Sequence, residues 1–392
     1  MSVANSIHHS KHIYNYLKAL NLGLFLSDVY LNHLLTIILS VFYRGKTVDF
    51  QEVSHCHRTT TAYFLNHGKW KDDALQDVLK SSILQAIYRE AQRSGQPIYC
   101  IVDDTIASHT RPSSQAVHPI EAAYFHQSHL KGCQDYGHQV VSVMLSCNGI
   151  TLNYAVILYD KSRSKIQIVQ EIAEELPAAP VISYFLCDSW YTTAKVMDRF
   201  IRKGFYTVGA LKTNRILYPC GIRQKASAFA LHLRKTDPDV SLVTVGSREF
   251  YVYRYEGELN GIPNAAVILS YPKDGFGNPK ALRVFLSTNA ELSTQEILDT
   301  YTKRWPIELF FRQSKSKLAL DSYQIRSRQG IQRYWLIMSL VHYLCCMHSG
   351  NYCTFEEGYA SLKQQLKQEQ FANLYRLIKS SASFEEAFKF VG

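Results

Sequence analysis

The sequence predicts a mixed α/β fold, because short apolar runs rich in β-forming residues alternate with amphipathic helical segments. The apolar runs 98–104, 181–188 and 205–211 have the length of buried strands. Asn148-Gly149 lies between two further apolar runs and is a strong signal for a tight β-hairpin turn. At 392 residues the chain is long enough for about two or three structural units.

Composition and charge favour a folded protein with a polyanionic partner. The chain is 46% hydrophobic and 19% charged, which is not the profile of a disordered protein. Its formal net charge of +10 and isoelectric point near 9.0 favour nucleic acid or an acidic membrane surface as partner. Charge alone does not choose between the two.

Cysteine usage and hydropathy favour a cytoplasmic location. The nine cysteines form no CxxC pair and cannot all pair internally, so we expect reduced thiols. The first residues lack the apolar segment of a signal peptide. The most apolar runs, 34–42 and 336–347, are shorter than the roughly 20 residues that a membrane span needs. We therefore expect them to be buried helices and expect no membrane partner.

Residues 1–95 are expected to form a helical DNA-binding domain. Apolar residues have helical spacing around 24–42 and 74–90. Between them, 49–70 contains two short helical patterns that fit a helix-turn-helix-like unit for reading DNA. Such patterns are common in small helical bundles, so a helical packing domain is the alternative.

Residues 96–211 are expected to form the first part of the core. Gly204 is placed to terminate the second of its helices. The predicted elements, in chain order, are strand 98–104, hairpin strands 140–146 and 150–159, helix 163–176, strand 181–188, helix 192–204 and strand 205–211.

Residues 212–291 are expected to form a β-rich insertion, because apolar and polar residues alternate there between Pro and Gly turns without a clear helix. Residues 281–288 lead back into the core. Ser293 and Glu296 form an S-x-x-E capping box that begins a helix. The two remaining regions are the last part of the core and a helical C-terminal region, at 292–345 and 346–392.

Acidic residues end two of the predicted strands. Asp103-Asp104 ends the strand 98–104, and Asp188 ends the strand 181–188. Each site alone is explained by turn formation or helix capping. Adjacent strands would bring the carboxylates together, and close carboxylates repel each other unless a cation lies between them. Oxygen ligands of this kind suit Mg²⁺ or Mn²⁺.

A lopsided cationic face surrounds a single glutamate in YTKRWPIELFFRQSKSK, residues 301–317. The residues that share an arc of about 80° on one helix are Tyr301, Arg304, Glu308, Arg312 and Lys315. Pro306 indicates that the helix kinks or restarts there. Solvated ion pairs such as Glu308 with Arg312 are the ordinary explanation of a charged stripe. Residues 301–333, however, hold eight Lys/Arg and two acids, a pattern typical of a phosphate-binding surface.

These residues resemble the Y-x-x-R-x-x-x-E-x-x-x-x-x-x-K signature of DDE transposases in the IS-four insertion-sequence superfamily, here Tyr301, Arg304, Glu308 and Lys315. VDDT at 102–105, CDSWYTT at 187–193 and the β-rich insertion follow the family's order over roughly 97–345. The resemblance implies a ribonuclease H-like core whose catalytic, metal-binding acids are Asp104, Asp188 and Glu308. Asp104 is preferred to Asp103 by alignment with the family's aspartate-threonine pair. The implied cofactors are two Mg²⁺ ions, with Mn²⁺ as a substitute.

The resemblance also implies contacts with DNA. Tyr301, Arg304 and Lys315 match family positions that grip the DNA end, and Arg312 lies on the same face. Trp190 and Trp305 could stack on an unpaired or flipped base, with ordinary packing as the alternative.

The expected function is cut-and-paste transposition of double-stranded DNA. The enzyme would cleave at terminal inverted repeats and join the 3′ ends to target DNA, as a homodimer on DNA. The alternatives are a metal-dependent nuclease without strand transfer and a non-catalytic DNA-binding derivative. Zinc is not expected, because His55-Cys56-His57 and His126-x-x-His129 lack a second ligand pair at zinc spacing.

Overall fold

The computed structural model describes residues 10–44, 57–116, 119–128, 131–259, 261–380, 383 and 385. Several sequence predictions fall partly outside these residues. They are the beginning of the helix-turn-helix-like segment, the histidine and cysteine positions His55, Cys56 and His129, and most of the chain beyond 380.

The centre of the protein is a ten-stranded mixed sheet. Its first six strands are β1 (Tyr99–Ser108), β2 (Tyr124–Ser128), β3 (Cys133–Cys147), β4 (Ile150–Tyr159), β5 (Ser183–Cys187) and β6 (Phe205–Leu211). Strand β3 pairs antiparallel with β1, β2 and β4, whereas β1, β5 and β6 run parallel. This order confirms the predicted mixed sheet with a ribonuclease H-like arrangement.

The hairpin between β3 and β4 forms at the predicted turn. Asn148 and Gly149 have φ angles of 46° and 85°. Two successive residues with positive φ define the type I′ turn, whose twist matches that of the flanking strands. The hairpin therefore fixes the register of the antiparallel half of the sheet.

Four strands of the β-rich region after β6 extend the same sheet, and its two shortest strands pair with each other in a separate two-stranded sheet. Its strands are β7 (Ile216–Leu217), β8 (Gln224–Lys225), β9 (Val240–Val245), β10 (Arg248–Leu259), β11 (Ile262–Pro272) and β12 (Arg283–Ser287). Strand β12 pairs with β6, and β11, β10 and β9 follow outward. A short helix, Ala226–Ala230, was not predicted from the sequence.

Helices cover the sheet. In chain order they are α1 (Lys11–Ala19), α2 (Asp28–Arg44), α3 (Arg58–Asn66), α4 (Asp72–Ser94), α5 (Lys165–Glu175), α6 (Ala194–Arg202), α7 (Ala226–Ala230), α8 (Thr294–Thr302), α9 (Trp305–Lys317), α10 (Arg328–Met347) and α11 (Phe355–Lys379). On one face, Phe200 of α6 stacks on Phe185 of β5 with ring centroids 3.8 Å apart. Tyr301 of α8 packs against Phe285 of β12 at 4.8 Å.

The N-terminal helices pack against α10. Arg333 of α10 is 3% exposed. Its guanidinium donates to the Leu65 carbonyl at 3.1 Å and to Asp72 Oδ1 at 3.0 Å. Phe42 of α2 stacks on Tyr359 of α11 at 5.2 Å. In the described part of the chain, no helix is long and apolar enough to span a membrane.

Candidate active site

Two carboxylates lie side by side where the parallel pairing of β1 with β5 ends. Val102 of β1 lies opposite Cys187 of β5 in the parallel register. Asp103 and Asp188 are the next residues along these two strands, so they are neighbours at the carboxyl edge of the sheet. Asp188 Oδ1 accepts a hydrogen bond from the Trp190 amide at 2.9 Å, which fixes the turn after β5.

Helix α9 brings Glu308 to this edge. The chain is helical from Thr294 to Thr302, breaks, and becomes helical again at Trp305. Pro306 lies in the first turn of the second helix, where its missing N–H costs no hydrogen bond. The predicted restart at this proline is thus confirmed. The capping box of Ser293 and Glu296 is confirmed as well, with both of its hydrogen bonds formed.

The guanidinium of Arg304 joins two of the acids. Its Nη1 donates to Asp103 Oδ2 at 2.6 Å, and its Nη2 donates to Glu308 Oε1. The ion pair of Glu308 is therefore with Arg304, one turn before it, and not with Arg312 as in the ordinary explanation of the stripe. The shared guanidinium places Asp103 and Glu308 on the same side of the sheet edge.

Asp104 has different partners. Its Oδ1 accepts from Lys165 Nζ at 2.9 Å and from the Tyr191 hydroxyl at 2.7 Å. Its Oδ2 accepts from Gln139 Nε2 at 2.6 Å. Successive side chains on a strand point to opposite faces, so Asp104 faces away from the side on which Asp103 meets α9. The sequence prediction chose Asp104, whereas the structure brings Asp103 to Arg304 and Glu308.

Burial and mutual repulsion disfavour the charged forms of the acids at the strand ends. Burial raises the pKa of Asp103 to about 6; the Arg304 charge opposes this shift, and the Asp188 charge adds to it. The pKa of Asp188 is also raised, mainly by burial, with the negative charge of Asp104 adding to the shift. Half-buried carboxylates of this kind are stabilised by a nearby cation.

The donor set of Asp103, Asp188 and Glu308 consists of carboxylate oxygens, which are the ligands that Mg²⁺ and Mn²⁺ prefer. In the described ranges, no group of three or more His, Cys, Asp or Glu side chains lies close enough together to hold a metal ion. Arg304 supplies the positive charge between Asp103 and Glu308 instead. The chemistry of the three side chains fits a divalent ion, provided that Arg304 gives up these contacts.

The residues predicted to bind DNA differ in their accessibility. Lys315 Nζ donates to Thr105 Oγ1 at 3.0 Å and to the Ile106 carbonyl at 2.9 Å, so it ties α9 to β1. Tyr301 is half-buried, with the Arg304 guanidinium 5.8 Å from its ring. Arg312 is exposed.

Both predicted stacking residues present their rings to solvent. Trp190 is 50% exposed and Trp305 is 56% exposed, which argues against the packing alternative for either. Lys165 Nζ lies 4.6 Å from the centre of the Trp190 ring, and Lys212 Nζ lies 5.1 Å from it. Trp190 is therefore surrounded by positive charge next to Asp188.

Sequence reasoning missed the partners of Asp104. Tyr191 lies within CDSWYTT, three residues after Asp188, and a fully buried tyrosine hydroxyl needs an acceptor. The tyrosine in this motif is the one sequence signal that could have indicated a structural role for Asp104. Lys165 and Gln139 carry no pattern in the sequence that points to Asp104.

The chain matches a known family. The sequence model of the protein family described as transposase DDE domain matches residues 94–344, which is more than half of the chain. The protein therefore belongs to the family of DDE transposases, enzymes that act on DNA and generally use divalent metal ions. The sequence-based identification of the family is confirmed. No curated protein matches the chain.

Proposed function

We propose that this transposase binds the terminal inverted repeats of an insertion sequence, cleaves the DNA there and joins the freed 3′ ends to target DNA. The observation that carries the proposal is the single guanidinium of Arg304, which contacts both Asp103 and Glu308 beside Asp188. A half-buried set of three acids at a sheet edge suits metal-assisted phosphodiester chemistry. The excess of cations on α9 suits the phosphates of the substrate.

The proposed catalytic acids are Asp103, Asp188 and Glu308, and Asp103 replaces Asp104 in the assignment. Asp104 has both oxygens engaged by Lys165, Tyr191 and Gln139. A carboxylate held in this way is a structural anchor that ties β1 to β3 and to the residues that follow β5. Asp103 has one protein cation as partner, and a divalent ion could replace that cation.

Mg²⁺ is the proposed cofactor, with Mn²⁺ as a substitute and two ions per site. Bound to the three acids, the ions would lower the pKa of an attacking water or 3′ hydroxyl and stabilise the leaving oxygen. The residues of the chain then have distinct tasks. Arg304 is freed to contact a phosphate, Lys315 holds α9 against β1, and Trp190 and Trp305 offer rings to an unpaired base.

The remaining parts of the proposal concern organisation. Residues 1–95 would bind DNA, 96–211 and 292–345 would form the catalytic core around the insertion 212–291, and 346–392 would form the C-terminal region. Joining two DNA ends in one reaction requires both ends to be held together. We therefore propose that a homodimer assembles on the DNA.

The test is a cleavage and joining reaction. The DNA flanking the gene is searched for short inverted repeats, and a fragment carrying them is incubated with the protein, Mg²⁺ and a target plasmid. Joined products are expected. Nicks without joining would favour the nuclease, and binding without cleavage would favour the non-catalytic derivative.

Matched variants test the acids. We expect Asp103→Asn and Glu308→Gln to lose cleavage by more than about a hundredfold while still binding DNA. Asp104→Asn is expected to retain cleavage well above that level. If Asp104→Asn lost cleavage and Asp103→Asn retained it, the catalytic role would return to Asp104. Thermal unfolding of each variant separates lost chemistry from lost fold.

A further inference from the structure

A strip of cations and aromatic rings begins beside the carboxylates, on the side of β1 that carries Asp104. Trp190 is its first ring, with Lys165 and Lys212 within about 5 Å of the ring centre. Lys165 also binds Asp104 at 2.9 Å. Because Asp104 follows Asp103 in β1, this lysine links the strip directly to the proposed catalytic edge.

The strip continues away from the edge through a second pair. Lys161 Nζ lies 4.0 Å from the centre of the Tyr124 ring, and Lys161 is exposed. The two residues line an open groove of about 610 Å³. Phe125, which is 49% exposed, and Arg111 line the same groove, with the Arg111 guanidinium 5.6 Å from the Phe125 ring. Each of the three rings along this path, two of them exposed and that of Tyr124 half-buried, therefore has a cation beside it.

The positive charge of the strip is largely unneutralised. The neighbouring acids are already paired, Asp104 with Lys165 and Asp160 with Arg328. Within the described ranges, neither Lys161 nor Lys212 forms an ion pair. Two exposed lysines that form no ion pair with a described acid, each next to an aromatic ring, favour a polyanion that also has flat apolar faces.

A buried histidine lies beneath the strip. His126 is 8% exposed, and among the residues that the structure describes its Nε2 has no hydrogen-bond partner. Its pKa is lowered, mainly by burial, and the charges of Lys161 and Lys165 lower it further. A buried ring nitrogen that no described residue satisfies fits a place where a bound polar group supplies the partner.

A single DNA strand meets these conditions better than a duplex. Cations that follow the backbone and rings that stack on successive bases are the means by which proteins hold unpaired strands. A duplex shields its bases within the stack, so the rings of Trp190 and Phe125 would remain unused. We infer that the strip from Trp190 through Lys161 to the groove binds one unpaired DNA strand that leads away from the cleaved phosphodiester.

This inference rests on the proposed function only for the position of the cleavage point. The test therefore measures binding and not cleavage. The full chain carrying Glu308→Gln is titrated with a fluorescent single strand of mixed sequence, about 25 nucleotides long, and with the duplex of the same sequence. Binding is repeated over a range of salt concentrations without added metal.

The informative variant is Lys161→Gln with Lys212→Gln. We expect it to bind the single strand about tenfold more weakly and the duplex within about twofold of the parent. The slope of log affinity against log salt should fall by about 1.4 for the single strand, since each lost phosphate contact contributes about 0.7. Lys379→Gln is the control, because Lys379 makes a similar contact with Tyr375 on α11, at 5.1 Å. It is expected to change neither affinity.

Lys161→Gly separates the effect of losing the lysine charge from an effect on folding stability. Lys161 has a φ of 66°, a conformation that glycine adopts more readily, so the variant should keep the melting temperature of the parent. Weaker single-strand binding at unchanged stability would support the strip. An equal loss for both DNA forms, or no loss for either, would overturn it. Intact single-strand binding in these variants, together with lost cleavage in Asp103→Asn, would reject the strip and leave the proposed function standing.

Discussion

Adjacent aspartates on β1 occupy opposite electrostatic environments. Asp104 accepts hydrogen bonds from Lys165, Tyr191 and Gln139, so both of its carboxylate oxygens have partners. Asp103 is buried near Asp188, and its pKa rises to about 6 despite the contact with Arg304. Burial disfavours the charged form of Asp103, whereas the carboxylate oxygens of Asp104 are both hydrogen-bonded. This difference is expected when a functional residue lies beside a structural one.

The period of a strand explains what the sequence could and could not predict about these two residues. Alternation predicts that Asp103 and Asp104 face opposite sides, because the side-chain period of a strand is two. It does not predict which side meets Glu308. That depends on the docking of α9, roughly 200 residues further along the chain, through Arg304 and Lys315. Such a long-range contact leaves no local pattern.

Asp103→Asn is predicted to stabilise the metal-free protein. The folded-state pKa of Asp103 is raised from 3.8 to about 6, so the folded state binds more protons than the unfolded state between these pH values. Stability from this group is complete below about pH 3.8 and is lost as the pH rises through about 6. Urea unfolding at pH 8 should show a gain of up to about 3 kcal/mol, which disappears near pH 4.

Asp104→Asn is the control for that measurement. It removes the charge paired with Lys165, at a site where both side chains are less than one-fifth exposed. We expect a loss of about 2 kcal/mol at pH 8. A destabilised Asp103→Asn at pH 8 would contradict the view that Asp103 is a strained acid.

At the scale of elements, the sequence predicted the existence of strands and helices better than their ends. Strand β6 has the predicted bounds, 205–211, whereas β1 extends four residues beyond the predicted 98–104. The extension follows from pairing with the long strand β3, which a local pattern does not contain. Pro306 was the only sequence signal for the break before α9. No capping motif marks the start of this helix, since the side chain of its N-cap residue, Arg304, makes no capping hydrogen bond.

The pair of helices α10 and α11 depends on a glycine. A Cβ at Gly358 would lie 1.7 Å from the carbonyl oxygen of Cys345, so no side chain fits without separating the helices. We predict that Gly358→Ala lowers the free energy of unfolding by about 3 kcal/mol or more. Gly23→Ala is the control, since no atom of the described residues beyond its own neighbours lies within 4 Å of its added Cβ. Equal stability of the two variants in urea unfolding would argue against this helix packing.

His342 should make α10 sensitive to acid. It is 3% exposed between the rings of Phe310 and Phe355, both 5.1 Å away, and burial lowers its pKa to about 3. The unfolded state then binds more protons than the folded state, so stability is present above about pH 6.5 and is lost as the pH falls toward 3.

His342→Phe tests this source of acid sensitivity. Whatever the variant's stability at pH 8, the decline of its unfolding free energy between pH 6.5 and pH 4 should be shallower than in the parent. The measurement is urea unfolding at several pH values. Parallel curves for parent and variant would show that His342 does not titrate on unfolding.

At the scale of the whole molecule, the sequence predicted the mixed sheet and the β-rich insertion, but not that β12 joins them into one sheet. The pairing of β6 with β12 joins strands on either side of the insertion and is set by tertiary contacts. The helical region before residue 95 was predicted as a domain of its own. Its contacts with α10 and α11 give it a structural role in addition to the proposed binding of DNA.

Removal of residues 1–95 is predicted to destabilise the remaining chain. Arg333 would lose its acceptors Leu65 and Asp72, and the Tyr359 ring would lose Phe42. A buried charge without partners and an exposed apolar surface both favour aggregation. Circular dichroism and size-exclusion chromatography of 96–392 should show loss of a folded monomer. A folded monomer with cooperative unfolding would establish an independent catalytic domain.

We propose that Asp103, Asp188 and Glu308 together hold the divalent ions. The most direct measurement is anomalous diffraction from crystals of the full chain grown with DNA and Mn²⁺. We predict anomalous peaks between these three carboxylates, with Arg304 displaced from Asp103 and Glu308. Anomalous peaks next to Asp104, or DNA-bound crystals without Mn²⁺ at any of the three acids, would show that Asp103, Asp188 and Glu308 are not the metal ligands.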